Sequence, residues 1–136
     1  MATMQVDVVS AERQLYSGEA SEVYARTPEG EIGILAGHQP TLLALTSTPV
    51  RVKTAEGDQV TVAVHHGFLE FRENRLTVLA DIAELAVDID VERATAARNR
   101  ASAHKRDPDY PGDAAAELER AELRLRIAEG YYTPIG

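Results

Sequence analysis

Residues 76–101 read LTVLADIAELAVDIDVERATAARNRA, and within this stretch the chain changes its pattern. Up to Ala80 the apolar residues Leu76, Val78 and Ala80 alternate with their neighbours, the period of a strand with one buried face. Beyond Val87 they recur near every 3.6 residues, as Val91, Ala94, Ala97 and Ala101, and Ala, Arg and Glu replace Val, Thr and Gly. The stretch therefore predicts a β region that ends near Val87 and a helical region that follows it.

Working back from Leu76, the same two-residue period recurs in short runs closed by turn residues. Met4, Val6 and Val8 alternate along the first run, and further strands are expected over Glu19–Arg26, Glu31–Leu35, Thr41–Leu45, Val50–Thr54, Gln59–His65, Phe68–Arg72 and Leu76–Ala80. Glu56-Gly57-Asp58 and Glu73-Asn74 fall between pairs of them as hairpin turns. Many short strands without intervening helices imply an antiparallel β-sandwich or barrel.

Working forward, Asp88 or Asp90 caps a helix that runs to about Lys105, because a carboxylate there accepts from free backbone N–H groups and faces the positive end of the dipole. Pro108 and Pro111 stop it, and a second helix is expected over about Asp113–Glu129. The short connection makes the two an antiparallel hairpin. The expected organisation is α+β: an N-terminal antiparallel β-sandwich over residues 1–87 and a C-terminal two-helix hairpin over 88–136. The second helix's stripe is Ala114, Leu118, Ala121, Leu125 and Ala128. Alanine methyls bury little area, so the hairpin should be held less firmly than the sandwich and is a candidate movable element.

The 136 residues carry 14 Lys plus Arg against 22 Asp plus Glu, a charge of -8 that argues against nucleic-acid binding. Met1–Ala86 holds -6 of it and Val87–Gly136 only -2. With no cysteine, disulfide frameworks, thiolate metal sites and Cys nucleophiles are excluded. The N-terminus lacks the pattern of a secretory signal, which makes a cytoplasmic location the default expectation, and no apolar run approaches the length of a membrane span.

Catalytic motifs are absent from the pattern. Gly30, Gly33 and Gly37 fit neither the dinucleotide fingerprint nor the phosphate loop. His38, His65 and His66 invite a metal, but adjacent strand residues point to opposite faces, so His65 and His66 cannot both ligate one ion from a regular strand. Asp88, Asp90 and Glu92 resemble a calcium loop that lacks its glycine, and capping explains them better. Arg93 and Arg100 share one face of the first helix, and Arg120 and Arg124 one face of the second. If those faces turn the same way, four guanidiniums converge on a group such as a polyphosphate. An ordinary solvated face, with Glu117 beside Arg120, accounts for the spacing more simply.

The runs Val8-Val9-Ser10-Ala11-Glu12-Arg13, Ser17-Gly18-Glu19-Ala20, Gly30 through Pro40, Gly67-Phe68-Leu69-Glu70, Val78-Leu79-Ala80-Asp81 and Asp88-Ile89-Asp90-Val91-Glu92-Arg93-Ala94 resemble, in order, the epsilon subunit of bacterial F-type ATP synthase. Two positions depart from that pattern. Ala36 stands where the family usually has proline, and His66 where a second glycine usually precedes Gly67.

The resemblance implies a non-catalytic rotor subunit, peripheral on the cytoplasmic face of the cell membrane, that couples the catalytic head to the ring of c subunits. The sandwich would bind the gamma subunit and the c ring, with Glu31 in a loop facing the ring and His38 near gamma. The hairpin would act as a brake on ATP hydrolysis by reaching the catalytic beta subunit, and alpha, when extended. ATP would be a regulatory ligand rather than a required cofactor, at positions that match Glu84, Ile89, Asp90, Arg93, Ala94, Arg100, Arg120 and Arg124. No metal is expected. The alternative is a free-standing β-sandwich, a binding or metal-dependent protein using His38 and His65, with a purely structural hairpin.

Overall fold

The computed structural model describes residues 2–130. Six strands come first, β1 (Met4–Ser10), β2 (Gln14–Thr27), β3 (Gly30–Leu35), β4 (Thr41–Thr54), β5 (Gln59–Arg72) and β6 (Arg75–Leu85). A single 3₁₀ turn, Ala86–Asp88, leads to α1 (Val91–Lys105) and α2 (Ala114–Ala128). The strands pair in the order β1-β6-β5-β4-β2-β3, and β1 also pairs with β2. Five strands thus close on one another, and β3 is added outside β2. All pairings are antiparallel except that of β1 with β6, which is parallel.

The core is the apolar set that the two-residue period marks. Val6 and Val8 on β1, Val23 on β2, Ile34 on β3, Val50 and Val52 on β4, Val62, Val64, Leu69 and Phe71 on β5, and Leu76 and Val78 on β6 are buried together. At roughly 1.5–3 kcal/mol for each fully buried large side chain, this cluster supplies most of the hydrophobic stabilisation.

Two pairs of expected strands prove to be single long ones. Thr41–Leu45 and Val50–Thr54 join in β4, and Gln59–His65 and Phe68–Arg72 join in β5. Residues 46–49 and the His66-Gly67 pair separate the expected runs, yet β4 and β5 keep one register from Thr41↔Phe71 to Lys53↔Gln59. What changes is the face. The core residues of β5 are Val62 and Val64 before His66 and Leu69 and Phe71 after it; those of β6 switch from Leu76, Val78 and Ala80 to Ala83 and Leu85. The ribbon rolls over at one row, so the same strands serve both layers. Two backbone features make the roll possible. His66 has φ +64°, and a Cβ on Gly67 would lie 2.1 Å from the Leu79 carbonyl oxygen.

At the next turn, Glu73 and Asn74 both have positive φ, 51° and 58°, as the tightest hairpin connections require. In the helices, the Asp90 carboxylate accepts from the Arg93 amide at 3.1 Å, which settles the first cap on Asp90 rather than Asp88, and the Asp113 carboxylate caps the second helix by accepting from the Ala116 amide at 3.0 Å. Each helix ends on basic residues, His104 and Lys105 or Arg126, which suit its negative end.

The buried residues of the hairpin are Ala94, Ala101, Ala121, Leu123 and Leu125. Val91 and Ala128, expected in the seam, are exposed, and Leu123 was not expected there. Ala121 and Leu123 are two residues apart, about 200° around a helix. α2 is therefore buried on two opposite sides, between α1 and the outer face of β4 and β5. Under it, Ala63 and His65 are buried although they point away from the main core.

Candidate functional site

Where the strands give way to the helices, a cleft of about 360 Å³ opens between the end of β6, the 3₁₀ turn, α1 and α2. It is lined by Glu84, Asp88, Asp90, Arg93, Ala94, Arg100 and Arg124, together with Ala96 and Ala97. Seven residues separate Arg93 from Arg100, two helical turns, which sets both guanidiniums on the same side of α1. The small alanines between them leave the space open. Of the residues singled out in the sequence, Ile89 and Arg120 are not part of this lining, and Arg120 lies one turn nearer the interhelical loop than Arg124.

Glu84 is the hinge of the arrangement. Its Oε1 accepts from the Arg124 guanidinium on α2 and lies 3.4 Å from Nε2 of His65 on β5. Burial pushes its carboxyl pKa up, but the hydrogen bonds from His65 and Arg124 outweigh burial and hold it below the ordinary carboxylate value. Arg124 is thus already paired. Arg93 and Arg100, both exposed, present their charge to the cleft from α1. Three guanidiniums face three carboxylates, so an anion entering here meets fixed donors beside fixed acceptors.

A second link joins the same surfaces. His66 Nε2 lies 3.3 Å from Glu119 Oε1 on α2. Neighbours in sequence, the buried His65 and the exposed His66 go to different carboxylates, a partly buried one and a half-exposed one. At the far end of the hairpin the Tyr110 ring stacks on His104, centroids 3.9 Å apart, and its hydroxyl donates to Glu117 at 2.8 Å. That bond, with a smaller contribution from burial, raises the Tyr110 pKa. Among the described residues, no cluster of three or more His, Asp or Glu side chains could hold a metal ion.

The two partner candidates lie on the sandwich. Glu31 stands on β3, just past the turn at Pro28 and Glu29, rather than in a loop, and its carboxylate is paired with Arg51. His38 sits edge-on to Phe71, and its Nδ1 is 2.8 Å from the Gln39 carbonyl. The pattern did not point to the apolar row of half-buried Val9 with exposed Leu79, Phe68 and Ala44, which crosses four adjacent strands on the outer face. Leu79 and Phe68 are 56% and 57% exposed, and Leu42, beside them, 69%. The row leaves large apolar side chains open to solvent on one face of the sheet.

A sequence model of the family described as ATP synthase, Delta/Epsilon chain, beta-sandwich domain matches residues 3–86. The chain belongs to the ATP synthase epsilon-chain family. It is 49% identical to the ATP synthase epsilon chain of Streptomyces avermitilis over 92% of this chain and 94% of that one. Its fold is similar to a chain in the Euglena gracilis mitochondrial ATP synthase (OSCP/F1/c-ring), with a TM-score of 0.71 and 24% identity over 96% of this chain and 80% of the other. A chain of the Tetrahymena thermophila mitochondrial ATP synthase central stalk and c-ring matches with a TM-score of 0.54 and 14% identity, over 97% and 98%. The family match covers the strands, and the epsilon-chain relative extends the likeness through both helices. Among the described residues no helix is long and apolar enough to cross a membrane.

Proposed function

We propose that this epsilon chain is a non-catalytic rotor subunit of the central stalk, that its hairpin restrains ATP hydrolysis when it leaves the sandwich, and that ATP in the cleft favours the docked form. The observation that carries this reading is the cleft itself, where Arg93 and Arg100 of α1 and Arg124 of α2 line one space beside Glu84 of the sandwich. A polyphosphate bridging α1 and α2 would bind only while both are in place, and so would stabilise that state.

The energetics suit a small bias. The hairpin buries three alanines and two leucines, against a sandwich core built of many large side chains. A ligand at ten times its dissociation constant adds about 1.4 kcal/mol to the state it selects, enough to shift a nearly balanced pair of conformations about tenfold. The apolar row at Phe68 and Leu79 suits the gamma subunit, whose cover would keep it from water. The turn beside Glu31 suits the polar loops of the c ring, and the basic face of α1 suits an acidic segment of the beta or alpha subunit. The chain then works on the cytoplasmic face of the membrane through its partners.

Calorimetry of the full chain with Mg-ATP tests the nucleotide part. Binding that weakens about tenfold or more in Arg93→Ala is expected, since a charge-assisted hydrogen bond is removed. No binding at millimolar ATP, or binding indifferent to Arg93→Ala, overturns it. For the brake, assembled enzyme carrying the chain truncated after Asp88 should hydrolyse ATP faster than enzyme with the whole chain. Equal restraint would place the brake elsewhere.

A further inference from the structure

We infer that His65 is a positioning residue for hairpin docking, holding the Glu84 carboxylate in place as the acceptor for Arg124. His65 is 2% exposed on the outer face of β5, beneath the hairpin, and belongs to neither the main core nor the lining of the cleft. The pairing of Ala63 with Glu84 and of His65 with Ile82 sets His65 and Glu84 diagonally on one face, within reach of each other. Both His65 Nε2 and the Arg124 guanidinium meet the same oxygen, Oε1. Without His65, only Arg124 would hold the carboxylate, and that bond exists only while the hairpin is docked.

The other ring nitrogen fixes the form of the histidine. Nδ1 is buried with no hydrogen-bond partner. A lone pair tolerates that position better than a second N–H would, so His65 carries its proton on Nε2 and donates it to Glu84. Nε2 is thus the nitrogen that donates, and Glu84 Oε1 accepts from both His65 and Arg124. A chain of donors and acceptors then runs from β5 through β6 to α2, with its sandwich end already organised when the hairpin arrives. This role does not depend on whether the cleft binds a nucleotide.

Hydrogen exchange of the α2 amides in the full chain tests it. His65→Leu fills the space but donates nothing, whereas His65→Gln keeps an N–H near the place of Nε2. The leucine variant should open α2 about five- to tenfold more often, and glutamine should stay within about twofold of the parent. In a Glu84→Gln background, where the charged acceptor is gone, the leucine change should have little further effect.

A pH profile separates positioning from packing. The charged groups around Glu84 are His65 from β5, Arg124 from α2, Arg93 and Arg100 from α1, and Asp88 and Asp90 before α1. As pH falls, α2 protection should be lost at a higher pH in His65→Leu than in the parent, because one of the bonds lowering the Glu84 pKa is missing. Nitrogen-15 spectra of the parent should show the Nε2–H tautomer. Equal opening in the leucine and glutamine variants, an unshifted pH profile, or the Nδ1–H tautomer would each overturn the assignment.

Discussion

His66 reaches across from β5 to Glu119 on α2, Nε2 to Oε1 3.3 Å, from a backbone with φ +64°. A non-glycine residue in the left-handed region is held there at a cost of roughly 1–2 kcal/mol. Its side chain in return provides a contact that glycine, the residue the family pattern leads one to expect, cannot make. His66→Gly should therefore leave the sandwich's stability within about 1 kcal/mol of the parent, as relief of strain offsets the added freedom of the unfolded chain. Docking should weaken by about 0.2–1 kcal/mol, the range for a polar side-chain contact this exposed. Melting followed separately by sandwich and α2 probes would distinguish the two effects.

Leu123 is fully buried, on the opposite side of α2 from Ala121. Leu123→Ala should cost about 2–5 kcal/mol. Among the described residues of the hairpin only Leu125 is another large buried side chain, so the loss should appear as an undocked hairpin on a folded sandwich. Exchange of α2 amides should approach that of a free helix, while β5 amides stay protected. Uniform loss of protection through both parts would contradict this.

The Glu84 pKa lies below its ordinary value when the hairpin is docked, because the His65 and Arg124 hydrogen bonds outweigh burial. For a carboxylate shifted down, the linked stability is present above the unfolded value, about 4.3, and is lost as pH falls through the lower docked value. Docking should hold steady through neutral pH and weaken in acid, and Glu84→Gln should remove that acid step. An acid step of unchanged size in Glu84→Gln would assign it to another group.

At the hairpin tip a Cβ on Gly112 would lie 2.8 Å from the Tyr110 ring, which stacks on His104. Gly112→Ala should displace the ring, and Tyr110→Phe removes its bond to Glu117. Either change should raise amide exchange at the start of α2 by roughly two- to threefold, the scale of an exposed charged contact. The Tyr110 pKa is raised, first by that bond. Its contribution is complete below the usual tyrosine value of about 10 and is lost as pH rises through the higher folded one. Ultraviolet titration of the parent against Tyr110→Phe reads it directly.

The α+β organisation was legible because two periods, 2 and 3.6, meet at Val87 without overlap, and because Asp90 and Asp113 each stand one residue before an apolar-periodic run. The strand merger was not. Pro49 and Gly67 carry the same local signal in a loop as at a roll of the ribbon, and only the register with β4 and β6 tells them apart. Six of the eight cleft positions drawn from the family resemblance, Glu84, Asp90, Arg93, Ala94, Arg100 and Arg124, line one cavity. Spacing alone could not bring Glu84 to Arg124, forty residues away. Leu123 escaped notice because a single-stripe reading assumes one buried side, whereas α2 has two.

The rolled row through His66 and Gly67 has a mechanical meaning. In two stacked sheets a twist is absorbed by sliding one layer over the other. Here β5 and β6 pass continuously from one layer to the other, and a sliding motion would have to tear ladder hydrogen bonds along both. The strand region is thus built to resist shear between its layers, whereas the hairpin is joined to it in sequence through the single 3₁₀ turn at Ala86–Asp88.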